Sequence, residues 1–307
     1  SSIHISKRLY HDQYFIFKNQ MLWFIIGTVL LMATFNMNYK IFSKIDQTRP
    51  TLASCGWLES EVSGPTRVKM NGPYDYVPPN YWYEDKENGG AFGFNTETGP
   101  GPQPPPIESL RRMIPADSLW PVNSVWNYHC SRHEFDNIDY FIQALNNRYG
   151  PSKNVEEFTY KFQIASYEAM RPMFESFCVN KYITTGIIQW MLKSAWPGMY
   201  WQLYDWYLRP NGAYYGTQKA CQSLNLIFNY KNKAIYIHND TLDDLKNAVA
   251  HISLYNFNSE VVFNDTVLIT SEQNSSKKIF DLSVPEDISQ VFFLNLLLVD
   301  NTGESIS

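Results

Sequence analysis

The sequence predicts an α/β fold with parallel strands, followed by an antiparallel all-β part. Three observations carry that reading. Strand-like runs, loops and helical runs recur up to Cys221. Apolar residues between Val155 and Tyr182 fall at spacings of three and four. From Leu224 onward the chain alternates apolar and polar residues in short runs between turn residues. The change of pattern divides the chain into domains expected at 1–222 and 223–307, the second an immunoglobulin-like β-sandwich.

The elements follow in order. Met21 to Phe35 is apolar but 15 residues long, where a membrane span needs about 20. A buried strand or helix fits it better than a span. Tyr39 to Ile45 reads as a short helix, and Thr48 to Ser54 as a turn feeding a strand. Val68 to Met70 reads as another strand, and a long aromatic loop follows. Ala91 to Thr96 alternates Phe92 and Phe94 with small or polar residues, so it reads as a strand. Gly99, Pro100, Gly101 and Pro102 forbid its continuation. Glu97 is thereby expected on a rim beside Tyr81, Trp82 and Tyr83. Aromatic faces next to a carboxylate suit a sugar ring, whose C–H groups pack on π surfaces while its hydroxyls take hydrogen bonds.

Beyond Pro106, Glu108 opens a helix, where a carboxylate complements the helix dipole. Helices are expected over Ile138 to Tyr149 and Val155 to Tyr182, with Phe158, Phe162, Ala165, Ala169, Phe174 and Phe177 on or near one face. Packing explains that stripe. Gly186 to Leu192 reads as a strand with Trp190 near its end, and Tyr200 to Tyr207 as an aromatic helix. In the last part Ala234 to His238, Ala250 to Leu254 and Val291 to Leu294 read as strands.

Composition sets the bounds on function. A chain of 307 residues that is 44% hydrophobic can bury a large core. A net charge of -5 and the lack of a Lys/Arg-rich block exclude nucleic acid as the main partner, because phosphates demand a basic face. Cys55, Cys130, Cys178 and Cys221 form no C-x-x-C pair; four buried thiols and two disulfides both remain open. Three N-x-[ST] acceptors, at Asn239, Asn264 and Asn274, favour a glycoprotein on the secretory route, secreted or lysosomal. The chain begins Ser1-Ser2 without an initiator Met and reads as a piece of a longer protein, whose N-terminal domains would be its partners.

Other constellations are weaker. His129 and His133, spaced i and i+4, could hold a metal from one helix face, but no third ligand stands near in sequence, and they read as surface. No G-x-S-x-G elbow and no phosphate-cradling G-K-[ST] occurs. Asp75, Glu84, Asp85, Glu87 and Asp205 are placed in or near rim loops, solvated unless one of them meets a cationic sugar.

The words KMNGPYDYVPPNYWYED, GGAFGFNTETGPG, PPPIESLRRMIP, TGIIQWMLKSAWP and YDWYLRPNGAYYGTQKAC together resemble glycoside hydrolase family 2, and within it the exo-β-D-glucosaminidase branch, with the plant-type endo-β-mannosidases as near neighbours. The resemblance covers residues 40 to 240. It implies the C-terminal half of a (β/α)8 TIM barrel ahead of the β-sandwich, cofactor-free and metal-free hydrolysis of an oligosaccharide, and retention through a covalent glycosyl-enzyme. The family nucleophile, a glutamate ending barrel strand seven, matches Glu97 in FNTET. By the same resemblance Tyr74, with Tyr76 as the alternative, hydrogen-bonds the nucleophile and Trp190 floors the sugar pocket; Tyr81, Trp82 and Asn95 are expected to contribute to substrate binding.

One position departs from the family. Where the branch carries its acid/base aspartate, the matching stretch Ile26 to Leu30 places Val29, and no Asp or Glu occurs from Gln13 to Ile45. Valine can neither give nor take a proton, and general acid–base help is typically worth about 10² to 10⁴ in rate. Nothing upstream supplies barrel strands one to three. The resemblance thus implies an exo-β-D-glucosaminidase-like hydrolase impaired at its acid. A non-catalytic carbohydrate-binding remnant and an endo-β-mannosidase acting on N-glycans stand as alternatives, and a membrane-anchored protein stands last.

Overall fold

The computed structural model describes residues 37–38, 40–48, 59–60, 64–65, 67–70, 72–84 and 90–306. The expectations for Met21 to Phe35 and for Val29 lie outside them, as do Asp85, Glu87 and Cys55. The chain divides into two compact units, Ser1–Arg67 and Val68–Ser307. In the first, residues 40–45 are helical, and β1 (Glu59–Ser60) pairs antiparallel with β2 (Gly64–Pro65).

The second unit opens with a parallel sheet. β3 (Val68–Lys69), β4 (Gly93–Thr98) and β5 (Thr184–Gln189) lie in that order, with β4 in the centre. A parallel neighbour requires a crossover, and the helices between β4 and β5 provide it. α1 (Tyr81–Glu84) precedes β4, and the crossover holds α2 (Ile107–Met113), α3 (Ser124–Tyr128), α4 (Asp139–Tyr149) and α5 (Val155–Val179). The 25-residue α5 is the spine of this part. Asn154 starts it, its side chain accepting from the Glu157 amide, while Glu157 reaches back to the Lys153 amide. That reciprocal arrangement satisfies amide donors that have no partner within the helix. Phe158, Phe162 and Ala165 bury against Trp126, Phe141 and Leu145, while Met170, Met173 and Phe177 bury against Trp82, Tyr83 and Ala213. The predicted apolar stripe is therefore core.

Several elements differ from expectation, among them the helix expected to reach Tyr182, which ends at Val179. The strand predicted to stop at Thr96 continues through Thr98 and so contains Glu97. The strand expected over Gly186 to Leu192 ends at Gln189, which leaves Trp190 just past its end. The helix expected over Tyr200 to Tyr207 does not form. Asp205, fully buried, turns the chain there by accepting the amides of Tyr207 and Arg209 on its Oδ1, and Trp201 and Leu208 take positive φ, which no right-handed helix allows. α6 (Gly212–Ala220) follows, capped by Asn211.

The remaining strands are antiparallel. β6 (Leu224–Asn229), β7 (Ala234–Asn239) and β10 (Ser275–Asp281) form one sheet, in the order β10-β7-β6. β8 (Leu245–Asn256), β9 (Val261–Ser271) and β11 (Phe292–Val299) form another, in the order β11-β8-β9. Alternation puts Ile235 and Ile237 of the first sheet into one core with Ala248, Ala250, Ile252 and Leu254 of the second. Cys130, Cys178 and Cys221 are thiols, and Cys221 is exposed, so of the three only Cys130 is fully buried. Burial pushes the thiols of Cys130 and Cys178 up to about 12. Among the described residues no helix is long and apolar enough to cross a membrane.

Candidate active site

Glu97 sits in a local irregularity of the central strand. Asn95 pairs with Ile187 and Thr98 with Gln189, so β4 spends three steps where β5 spends two. An extra residue of this kind bends the strand and re-aims the side chains within it. The bulge also sits at the C-terminal end of a parallel strand, where open α/β sheets bind their ligands.

The neighbouring loop is tied to this strand end at several points. Asn95 Nδ2 donates to the Gly72 carbonyl (3.0 Å), Thr98 Oγ1 to the Pro73 carbonyl (3.0 Å), and the Gly99 amide to the same Pro73 carbonyl (3.1 Å). The Asn95 side-chain oxygen faces the Glu97 amide at 3.4 Å. With the loop so held, Tyr74 Oη donates to Glu97 Oε1 at 2.9 Å. One carboxylate oxygen is thereby occupied and the other is left to act. Tyr74 is itself fixed: its carbonyl accepts from Trp201 Nε1 at 2.7 Å, and the two rings meet edge to face.

Trp190 stands at the end of the adjacent strand, 41% exposed, with its amide donating to the Thr98 carbonyl at 2.8 Å. Gly99 allows this approach. A Cβ there would lie 2.0 Å from the Trp190 carbonyl oxygen. The backbones carrying Glu97 and Trp190 are therefore locked together, and the tryptophan keeps an open face.

The expected substrate contacts divide. Tyr74 and Glu97 meet, and the Trp190 backbone joins the strand end that carries Glu97. Trp82 does not join them: it is fully buried in the core with Met170 and Met173, because α1 turns it inward. Tyr81 packs edge to face on Trp82 and is partly buried against the same core. Asn95 is fully buried and donates to the Gly72 carbonyl, so it shapes the loop. Asp205 leaves the rim list for the turn described above. Asp75 is half-buried next to Tyr74, and burial raises its carboxyl above the usual range against the pull of the Tyr76 amide. His129 and His133 do not share a helix: His129 ends α3, with Nδ1 2.7 Å from the Pro197 carbonyl, and His133 opens a separate 3-10 turn. Among the described residues no group of three His, Cys, Asp or Glu side chains could hold a metal.

A cavity of about 760 Å³ lies on the far side of Trp201. Its walls include Tyr128, His129, Arg132, Met191, Trp196 and Trp201, and Glu97 is not among them. Sequence reasoning missed this feature. The signal was the aromatic cluster of Trp196, Tyr200 and Trp201, the last two of which the expected helix absorbed.

The chain is similar to several known proteins. A family described as the Mannosidase Ig/CBM-like domain matches residues 231–307. An exo-β-D-glucosaminidase from Amycolatopsis orientalis is 36% identical over 270 residues, which is 84% of this chain and 26% of that protein. A mannosylglycoprotein endo-β-mannosidase from Lilium longiflorum is 23% identical over 60% of this chain and 20% of its own length. The crystal structure of the Amycolatopsis orientalis exo-chitosanase superposes with a TM-score of 0.78 at 34% identity, over 85% of this chain and 32% of that one. The chain thus spans about a quarter to a third of the length of such relatives. By sequence and by fold, this chain is similar to a part of the exo-β-D-glucosaminidases, and its residues 231–307 to the Mannosidase Ig/CBM-like domain.

Proposed function

We infer that the site is the nucleophile half of a retaining β-glycosidase that removes glucosamine from chitosan-type oligosaccharides. One observation supports this above the others: the Tyr74–Glu97 hydrogen bond at the bulged end of β4, with the open face of Trp190 alongside. A carboxylate with one oxygen held by a phenol presents the other to an anomeric carbon, and the tyrosine stabilises the charge as it shifts during displacement. The tryptophan gives the sugar a flat apolar face to rest on.

On this reading β3, β4 and β5 belong to the C-terminal half of a (β/α)8 barrel spanning 1–222, and 223–307 is an immunoglobulin-like sandwich. The domains that the relatives carry in the rest of their length would be the chain's partners, and the protein would be a secreted or lysosomal glycoprotein. Val29 at the acid/base position leaves leaving-group protonation without a donor, so the chemistry is impaired. That same residue favours a second reading, a carbohydrate-binding remnant without turnover.

Side-by-side assays with chitosan oligomers and an aryl β-glucosaminide separate the two readings. Nitrophenolate leaves without a proton, whereas a sugar alkoxide does not. Turnover of the aryl substrate alone is the expected result. Silence on both substrates from a folded sample overturns the enzymatic reading, and equal turnover of both overturns the impairment.

A further inference from the structure

We propose that an N-linked glycan on Asn264 covers the outer face of the β11-β8-β9 sheet, its first two N-acetylglucosamine rings lying across Tyr255 and Phe293. The proposal rests on the secretory-route reading given above.

Register defines the face. β8 turns Ala248, Ala250, Ile252 and Leu254 into the core, so the residues alternating with them, from Val249 to Tyr255, look outward. Pairing with the two neighbouring strands completes four outward rows of three. Tyr255 stands between Phe293 and Val261, and three rows further along the sheet Val249 stands between Val299 and Leu268. Of these twelve positions seven are apolar, and none is Lys, Arg, Asp or Glu. The solvated face of an antiparallel sheet is ordinarily polar. Here Phe293 is 54%, Val261 56% and Leu268 71% exposed. Contiguous apolar surface of this kind marks a face that something covers.

Asn264 identifies the cover. It is the acceptor in Asn264-Asp265-Thr266, and the two-residue period of β9 puts Asn264 and Thr266 together on this outward face, between the two apolar rows. Its Oδ1 accepts from Ser253 Oγ on the facing strand at 3.2 Å, which leaves Nδ2, the nitrogen that takes a glycan, for the sugar. The other two acceptors are placed differently. Asn239 is fully buried, its Nδ2 donating to the Asp243 and Glu272 carbonyls, and Asn274 lies in the turn before β10. Tyr255 is the diagonal neighbour of Asn264 across the β8–β9 pair, a separation of about 7–8 Å that a linked pair of pyranose rings spans. Phe293 lies directly beyond it. The C–H faces of the two rings pack on these aromatics while their hydroxyls turn to water, so the glycan converts an apolar face into a solvated one.

Enzymatic trimming tests this on the intact chain. The protein is secreted from a eukaryotic host behind a supplied leader, with its glycans held in the high-mannose form, and is treated natively with endoglycosidase H, which cuts between the first two rings. The Asn264 glycan is expected to be cut about tenfold more slowly than the Asn274 glycan of the same molecule, the scale of an aromatic contact. Replacing Tyr255→Ser together with Phe293→Ser should bring the two rates level. In Asn274→Gln, full removal of the remaining Asn264 glycan should raise the fluorescence of the apolar dye ANS severalfold. Circular dichroism checks the fold, and the ANS comparison leaves both aromatics in place, so it decides even where the double variant does not fold. An empty Asn264 beside an occupied Asn274, equal cutting rates in the parent, or ANS fluorescence indifferent to the Asn264 glycan overturns the proposal. So does dimerisation of the glycosylated chain that Phe293→Ser abolishes, which would assign the face to a second copy. Glycopeptide mapping of the chain from its own cells tests the route apart: no glycan at any acceptor sinks the secretory reading and the proposal with it, whereas the outcomes above sink the proposal alone.

Discussion

Replacing Gly99 with alanine tests whether the backbone contact between β4 and Trp190 holds the site together. The new Cβ would stand 2.0 Å from the Trp190 carbonyl oxygen and 3.2 Å from its carbonyl carbon. Cβ contacts shorter than 3.0 Å are essentially never seen, so the two backbones must separate by at least 3.0 − 2.0 = 1.0 Å. The obstacle is backbone, so no rotamer change relieves it. Overpacking of this kind costs about 1–3 kcal/mol, and for a unit of this size each kcal/mol lowers Tm by about 2–4 °C. A fall of about 2–12 °C is therefore expected in a thermal melt. The same displacement pulls Trp190 away from Glu97, and a misplacement of about 1 Å costs on the order of 10²-fold in rate. Melting and aryl-glucosaminide release would be measured on the same preparation. A Tm within about 1 °C of the parent, given the usual precision of such melts, together with an unchanged rate, would refute the locking argument.

Further expectations follow from other parts of the molecule. Tyr74→Phe removes the hydrogen bond to Glu97 and should lower aryl-glucosaminide kcat/KM by about 10- to 100-fold, in line with about 1.5–3 kcal/mol for a bond to a charged group, with a thermal melt showing little change. Production in a secretory eukaryotic host should place glycans on the exposed Asn264 and Asn274 but not on Asn239 in the folded pool. Asn239 is fully buried and donates to the Asp243 and Glu272 carbonyls, and site-resolved mass spectrometry reads the outcome. His238 is buried on β7, and burial, helped by Lys181, lowers its pKa below 6.5. The unfolded chain then binds a proton that the folded chain refuses, so stability should fall as pH drops from about 6.5 through the folded value, and His238→Gln should flatten that slope in urea melts.

Periodicity made much of this fold legible. The three-and-four spacing of Phe158, Phe162, Ala165 and Phe177 is a direct image of the face that α5 buries, and the alternation in Ala234 to His238 gives β7 within one residue. The strand end that holds Glu97 was legible because glycine and proline stop the strand from Gly99 on, with only Thr98 between them and the glutamate. What local pattern could not carry was burial decided by distant contacts. Trp82 looks like a rim aromatic in the sequence but faces Met170 and Met173, which lie in a helix far along the chain. Tyr200 to Tyr207 has the apolar content of a helix, yet the Asp205 carboxylate captures the Tyr207 and Arg209 amides and makes a turn of it. The bulge at Glu97 depends on the register between β4 and β5, which neither strand encodes alone.

The central claim is that Glu97 is a nucleophile working without a proton donor, and its most direct test is the covalent intermediate. In a retaining enzyme the residue that protonates the leaving group later activates water. A chain lacking it should therefore release its first aryl leaving group quickly and then turn over slowly, limited by hydrolysis of the glycosyl-enzyme. Rapid mixing with an aryl β-glucosaminide should give a burst approaching one nitrophenol per folded chain. Intact mass should rise by one glucosamine unit, mapping to the peptide that holds Glu97 and absent in Glu97→Gln. Steady turnover without a burst, a label on another residue, or release that survives in Glu97→Gln would contradict the account.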